Sequence, residues 1–182
     1  LAGDIEISKI VVSPTNTDTT APTLSSVSLA SSNSDDSKAK AGDSVVLTFT
    51  ADEPIREPIV TFKSGGAAIS GTPVYANTTG ETWTATYTVD SSDTAGSVTY
   101  SIAFGDTKKG TNNPGTAVTS GTGSVTIDTT APTLASVTAI STPTANVTPS
   151  FVFSSDEAGT ITSSLGFSTT TSAISGNNTI TF

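Results

Sequence analysis

The side chains of this 182-residue sequence that could do chemistry are nearly all carboxylates. Asp and Glu number 16 against 7 Lys and Arg, the formal charge is -9, and there is no His and no Cys. Without imidazole the commonest general base and transition-metal ligand is missing; without thiol there is no nucleophilic sulfur and no disulfide framework. Carboxylates alone leave two options: proton exchange between pairs, or hard-oxygen ligation of Ca2+, which takes roughly six to eight oxygens. The pair Asp52-Glu53 could in principle exchange protons, but neighbours along a loop do not converge on a substrate and no pocket residues accompany them. The chain is therefore expected not to be an enzyme. The stretch DSSDT, Asp90–Thr94, opens like a calcium loop but lacks the bidentate Glu that closes one, so an ordinary turn is expected.

The same charge balance bears on partners. An acidic chain repels phosphate backbones and anionic headgroups, so no nucleic acid and no membrane surface is expected to bind it. No run of apolar residues is long enough to cross a bilayer as a helix, so no membrane insertion is expected in this segment. The first residue is Leu, not Met, so a processed product or an excerpt is expected.

The elements that would hold the carboxylates are strands. Ser and Thr fill 65 positions and charged residues only 13%, so polarity comes from hydroxyls, while Val, Ile, Phe, Tyr and Trp fall in short alternating runs. In TWTATYTVD, Trp83, Ala85, Tyr87 and Val89 take one face and Thr the other, which predicts a half-buried strand with Trp83 in a core, not on a sugar-stacking platform. The same period of two predicts strands at 44–50, 59–63 and 98–104. Further strands are expected at 23–30 and 123–127, and an irregular edge at 67–76 where Pro73 cannot donate to a ladder. Gly65-Gly66 is expected to turn the chain, Lys108-Lys109 to be a solvated loop tip, and the Ser/Thr faces to be ordinary exposed sheet.

A repeat sets the domain count. DTTAPTLSSV, Asp18–Val27, returns as DTTAPTLASV, Asp128–Val137, differing only at Ser25 against Ala135. The period of about 110 residues is that of one sandwich domain. VLTFTADEP, from Val46, is echoed by SFVFSSDEA, from Ser150, with Phe49 matching Phe153. The expected organisation is residues 1–17 as a strand or tail of a preceding element, 18–127 as a first domain, and 128–182 as a second that lacks its last strands. Its bare face and open edges imply that the parent polypeptide continues or that another chain supplies those strands.

DTTAPTL, FTADEP and ETWTATYTV together resemble the bacterial Ig-like repeats of large cell-surface adhesins, over Asp18–Phe182. The resemblance implies an all-β fold of tandem immunoglobulin-like β-sandwiches, the second incomplete, at an extracellular, bacterial cell-surface location. It also implies Ca2+ between domains, held at Asp18, Glu53 and Asp106 and again at Asp128 and Glu157. The family's Asp-x-Ala-Gly-Asn loop stands here as Asp106-Thr107-Lys108-Lys109-Gly110-Thr111-Asn112, with two Lys beside the Asp.

Strand direction gives a separate check. In an antiparallel sandwich Asp18, Asp52, Glu53 and Asp106 fall at one pole of the first domain, and Asp35, Asp36, Asp43, Asp90 and Asp93 at the other. The second domain's own entry pole carries Asp128, Asp156 and Glu157, so carboxylates are expected to gather where the domains join. The expected function is a structural stalk or spacer, rigidified by Ca2+ at domain junctions, whose partners are neighbouring Ig-like domains or subunits. Two alternatives are a filament or surface-layer subunit completed by strand donation from Leu1–Asn16, and a module binding a host or surface glycan or protein.

Overall fold

The computed structural model describes residues 19–107, 113–142, 144–162 and 171–182. Asp18, the opening segment Leu1–Asn16 and the Lys108-Lys109 tip lie outside the described residues. The described residues form strands and no helix, in two compact units, Leu1–Thr129 and Thr130–Phe182.

The first unit is built from β1 (Leu24–Ser31), β2 (Lys38–Ala39), β3 (Ser44–Ala51), β4 (Ile59–Ser64), β5 (Ala67–Ala68), β6 (Val74–Asn77), β7 (Thr82–Thr88), β8 (Gly96–Ala103) and β9 (Thr126–Ile127). One sheet runs β1-β3-β7-β6, the other β2-β9-β8-β4-β5. The period of two does the sorting. In β3 Val45, Leu47, Phe49 and Ala51 are buried and their neighbours half-exposed; in β7 Trp83, Ala85 and Tyr87 are buried while Thr82, Thr84 and Thr86 point outward. The β-branched Thr residues favour the extended backbone at no cost to the core. Val60 and Phe62 of β4 and Val98 and Ile102 of β8 face them from the other sheet, joined by Phe104, Val125 and Ile127. Phe62 and Tyr87 meet across the layers with ring centroids 5.0 Å apart. Each fully buried side chain such as Leu47 or Phe49 stabilises the unit by about 1.5–3 kcal/mol.

Two connections decide the shape. Gly65 and Gly66 carry φ of 55° and 85° between the paired Ser64 and Ala67, a two-residue turn whose twist matches the strands it joins. The edge segment after it crosses between sheets: β5 pairs with β4 in one, β6 with β7 in the other. The last strand is only β9, and it lies parallel to β2, with Lys38 opposite Thr126 and Ala39 opposite Ile127. Nothing in the hydrophobic pattern marks Lys38–Ala39 as a strand.

The second unit contains β10 (Leu134–Thr138), β11 (Ser150–Ser155), β12 (Gly159–Thr160), β13 (Ser172–Ala173) and β14 (Gly176–Thr181). β10-β11-β14 form one antiparallel sheet and β12-β13 a separate pair. The register repeats that of the first unit: Leu24 pairs with Ala51 as Leu134 does with Ser155, and Phe49 with Trp83 as Phe153 does with Asn178. Phe153 and Ile180 are its buried apolar side chains among the described residues. Asn178, also buried, is held by Ile174 N–H at 2.8 Å and donates to the carbonyls of Ile174 and Gly176.

Candidate functional site

The fold carries the acidic residues on the loops at the ends of the sheets, and the hydrogen bonds show what each carboxylate does there. At the end where β1 begins, Asp52 follows β3. Its two oxygens accept from the Thr23 N–H at 2.8 Å and the Thr23 hydroxyl at 2.7 Å, while its own N–H donates to the Thr23 carbonyl at 3.0 Å. The second unit repeats this clamp atom for atom. Asp156, after β11, accepts from the Thr133 N–H at 2.7 Å and hydroxyl at 2.5 Å, and its N–H returns to the Thr133 carbonyl at 3.3 Å. The bonds from Thr23, backbone first and hydroxyl second, hold the Asp52 carboxyl below the ordinary Asp value; for Asp156 the Thr133 hydroxyl leads and its N–H follows.

Asp106 reaches the same end of the first unit by a different route. It follows β8, bridges Ile55, and is buried at 1% exposure. The Asn113 amide donates to it at 3.0 Å and to the Thr20 carbonyl at 3.3 Å, while Arg56 N–H donates to the Gly105 carbonyl at 3.0 Å. A Cβ placed on Gly105 would lie 3.3 Å from the Arg56 guanidinium, so a cation stands beside this carboxylate's loop. The loops bearing Thr23, Asp52 and Asp106 thus share one end of the unit, as strand direction requires.

At the other end, the Asp43 carboxylate accepts from the Asn33 amide at 2.8 Å and Lys40 N–H at 2.9 Å, and the Asp43 carbonyl accepts from Val89 N–H at 2.9 Å. Asp35 and Asp90 each accept the N–H and hydroxyl of the residue two ahead, Ser37 and Ser92. The side-chain bond, from Asn33, Ser37 and Ser92 in turn, is the main reason these three carboxyls also lie below the ordinary value. Asp93, 4% exposed, accepts Ser70 N–H and hydroxyl at 2.8 Å and Asp90 N–H at 3.0 Å. DSSDT is therefore a closed turn whose oxygens are taken by local donors. The exit of the unit joins this end through Asp128 N–H to the Ala39 carbonyl at 2.9 Å and the Thr129 hydroxyl to the Asp93 carbonyl at 3.4 Å.

Of the carboxylates expected to hold Ca2+ in the first unit, Asp18 lies outside the described residues. Asp52 has both oxygens clamped by Thr23, Asp106 is met by Asn113, and among the described residues no three acidic side chains converge as a metal site. Glu53 and Asp128 are engaged by partners of their own, and Glu157 contributes its main chain to a turn with the Ser155 hydroxyl. The clamp threonines, Thr23 and Thr133, were not among the expected site residues. The signal was present, since APT and the acidic DE pair recur together in both copies.

Compared with protein-family models and with curated proteins, the sequence finds no match.

Proposed function

We propose that this chain is a structural segment, a stalk or spacer of an extracellular, bacterial-type surface protein, assembled from Ig-like sandwiches in tandem. The observation that carries the reading is the Thr–Asp clamp at equivalent register in both units, a repeated construction detail with no substrate-facing geometry. The strand order of the first unit supports it: β1-β3-β7-β6 beside β4-β8-β9, with β5 and β2 added at the edges, matches the A-B-E-D and C-F-G order of an immunoglobulin sandwich. β10-β11-β14 repeats A-B-E. Only residues 128–133 separate β9 from β10, which leaves little slack for a linker.

In this reading side-chain clamps stiffen each repeat, and Ca2+ on the acidic loops adds to that stiffness. Thermal unfolding in millimolar calcium and in EDTA decides this. A calcium-dependent rise of several degrees is expected, as ligand binding to the native state alone produces; equal midpoints would leave the clamps as the source of stiffness and remove Ca2+ from the reading. A saturable glycan-array signal would replace the spacer reading with that of a binding module.

A further inference from the structure

In the first unit, β4 is paired along its whole length on one side and along two residues on the other. β8 covers it from Ile59, opposite Ala103, to Ser64, opposite Val98, whereas β5 reaches only Lys63 and Ser64. The stretch Ile59–Phe62 therefore forms an outer edge of the sheet, and such an edge offers N–H and C=O groups to any strand that comes alongside. A side chain from the other sheet meets it. Tyr75 lies on β6 directly opposite the buried Ala85 of β7, so it shares Ala85's inward face and points across the layers. Its hydroxyl accepts the Val60 N–H at 2.8 Å and turns back to the Val60 carbonyl at 3.4 Å. One phenol thus occupies the two backbone groups that a pairing strand would take. Otherwise the edge is open to pairing: the β4-β8 register runs without a bulge, Lys63 is the strand's one charge, and Ile59 is 68% exposed.

We propose that Tyr75 is a latch that holds the β4 edge shut against strand addition, and that the occupant it excludes is the same edge of a second copy of this chain. The edge is self-complementary when two copies meet antiparallel about a two-fold axis. Glu57 stands just before the edge and Lys63 just after it, both exposed, so the approach brings Glu57 of each copy to the Lys63 end of the other. The exposed Ile59 side chains gain cross-strand neighbours on the outer face. Val60 exchanges with the facing strand the N–H and C=O that Tyr75 now holds, and Pro58, which has no N–H to return, still offers its carbonyl. Keeping this edge closed is independent of the spacer role and of any cation.

Sedimentation of the full chain over a range of concentrations tests this. The parent is expected to run as a monomer, and Tyr75→Phe, which keeps the ring and removes the hydroxyl, to dimerise at concentrations roughly tenfold or more below any at which the parent does. Adding Lys63→Glu sets like charges together at Glu57 and is expected to return that variant to monomer; adding Glu57→Lys as well exchanges the pair and is expected to restore the dimer. Trp83, the sole Trp, lies in the first unit's core, and its unchanged emission checks that each variant keeps the fold. Amide hydrogen exchange on the parent needs no variant: the Val60 N–H is expected to be protected, and fast exchange would overturn the latch. The proposal also fails if the parent already associates through this edge, if folded Tyr75→Phe stays monomeric, or if its association is indifferent to Lys63→Glu.

Discussion

At the scale of single residues, the acidic side chains are spent on the backbone. Asp35, Asp43, Asp52, Asp90 and Asp156 each accept an N–H together with a hydroxyl or amide, and each lies below the ordinary Asp value for that reason. A depressed folded pKa means that the unfolded chain takes up protons first, so this stability is complete above the unfolded value near ~3.9 and is lost as pH falls through the folded values. Urea midpoints are accordingly expected to be flat from neutral pH down to about pH 5 and to fall steeply below about pH 4; a midpoint that held to lower pH would contradict the clamps. Tyr87 makes the opposite case. Its hydroxyl is buried with no hydrogen-bond partner among the described residues, and burial, then the charge of Asp93, push its pKa up. Tyr87→Phe removes an unsatisfied group, so the variant is expected to match or exceed the parent by up to about 1 kcal/mol near neutral pH. It is also expected to lose part of the stability decline that sets in above pH ~10, where unfolded tyrosine ionises while the folded group holds its proton. Loss of more than about 1 kcal/mol in chemical denaturation would show that the hydroxyl has a partner after all.

At the scale of elements, the strands with the cleanest alternation were the most legible. β3, β4, β7 and β8 follow the period of two read from Val45–Ala51, Val60–Phe62, Trp83–Tyr87 and Val98–Ile102, because burial on one face leaves no other register. Short, context-made pairings were not legible. Lys38–Ala39 becomes a strand only because the chain returns at Thr126–Ile127 to pair with it, and no local pattern encodes that return. The candidate ligands show the same divide. Strand direction alone brings Asp52 and Asp106 to one end, but whether their oxygens face a cation or a Thr and an Asn depends on side-chain placement that residue types do not disclose. The Gly65-Gly66 turn was legible from composition and is demanding in detail: at φ 55° a Cβ on Gly65 would run into the Ala95 carbonyl oxygen. Gly65→Ala is expected to cost roughly 1–3 kcal/mol, read as a lowered urea midpoint with unchanged slope; a neutral result would mean that the Ala95 strand end gives way freely.

At the scale of the whole molecule, two units of one pattern carry unequal cores among the described residues, since the first closes two sheets over Leu47, Phe49 and Ile102 and the second shows a three-stranded sheet and the β12-β13 pair around Phe153 and Ile180. In the first unit the parallel pairing of β2 with β9 has a mechanical meaning. Thr126 N–H bonds the Ser37 carbonyl and Asp128 N–H the Ala39 carbonyl, both at 2.9 Å, and Thr122 exchanges bonds with Val27 and Leu29 in the same parallel sense. Tension entering ahead of β1 and leaving behind β9 pulls these neighbours in opposite directions along their length, so the bonds are loaded in shear, all at once, and none can be peeled first. Single-molecule pulling on the chain ends is expected to show this unit yielding in one abrupt high-force event, which Thr122→Pro, lacking the N–H that meets Val27, lowers. A module that resists rupture at its two ends while its turns stay small and polar is suited to carrying tension along its own length.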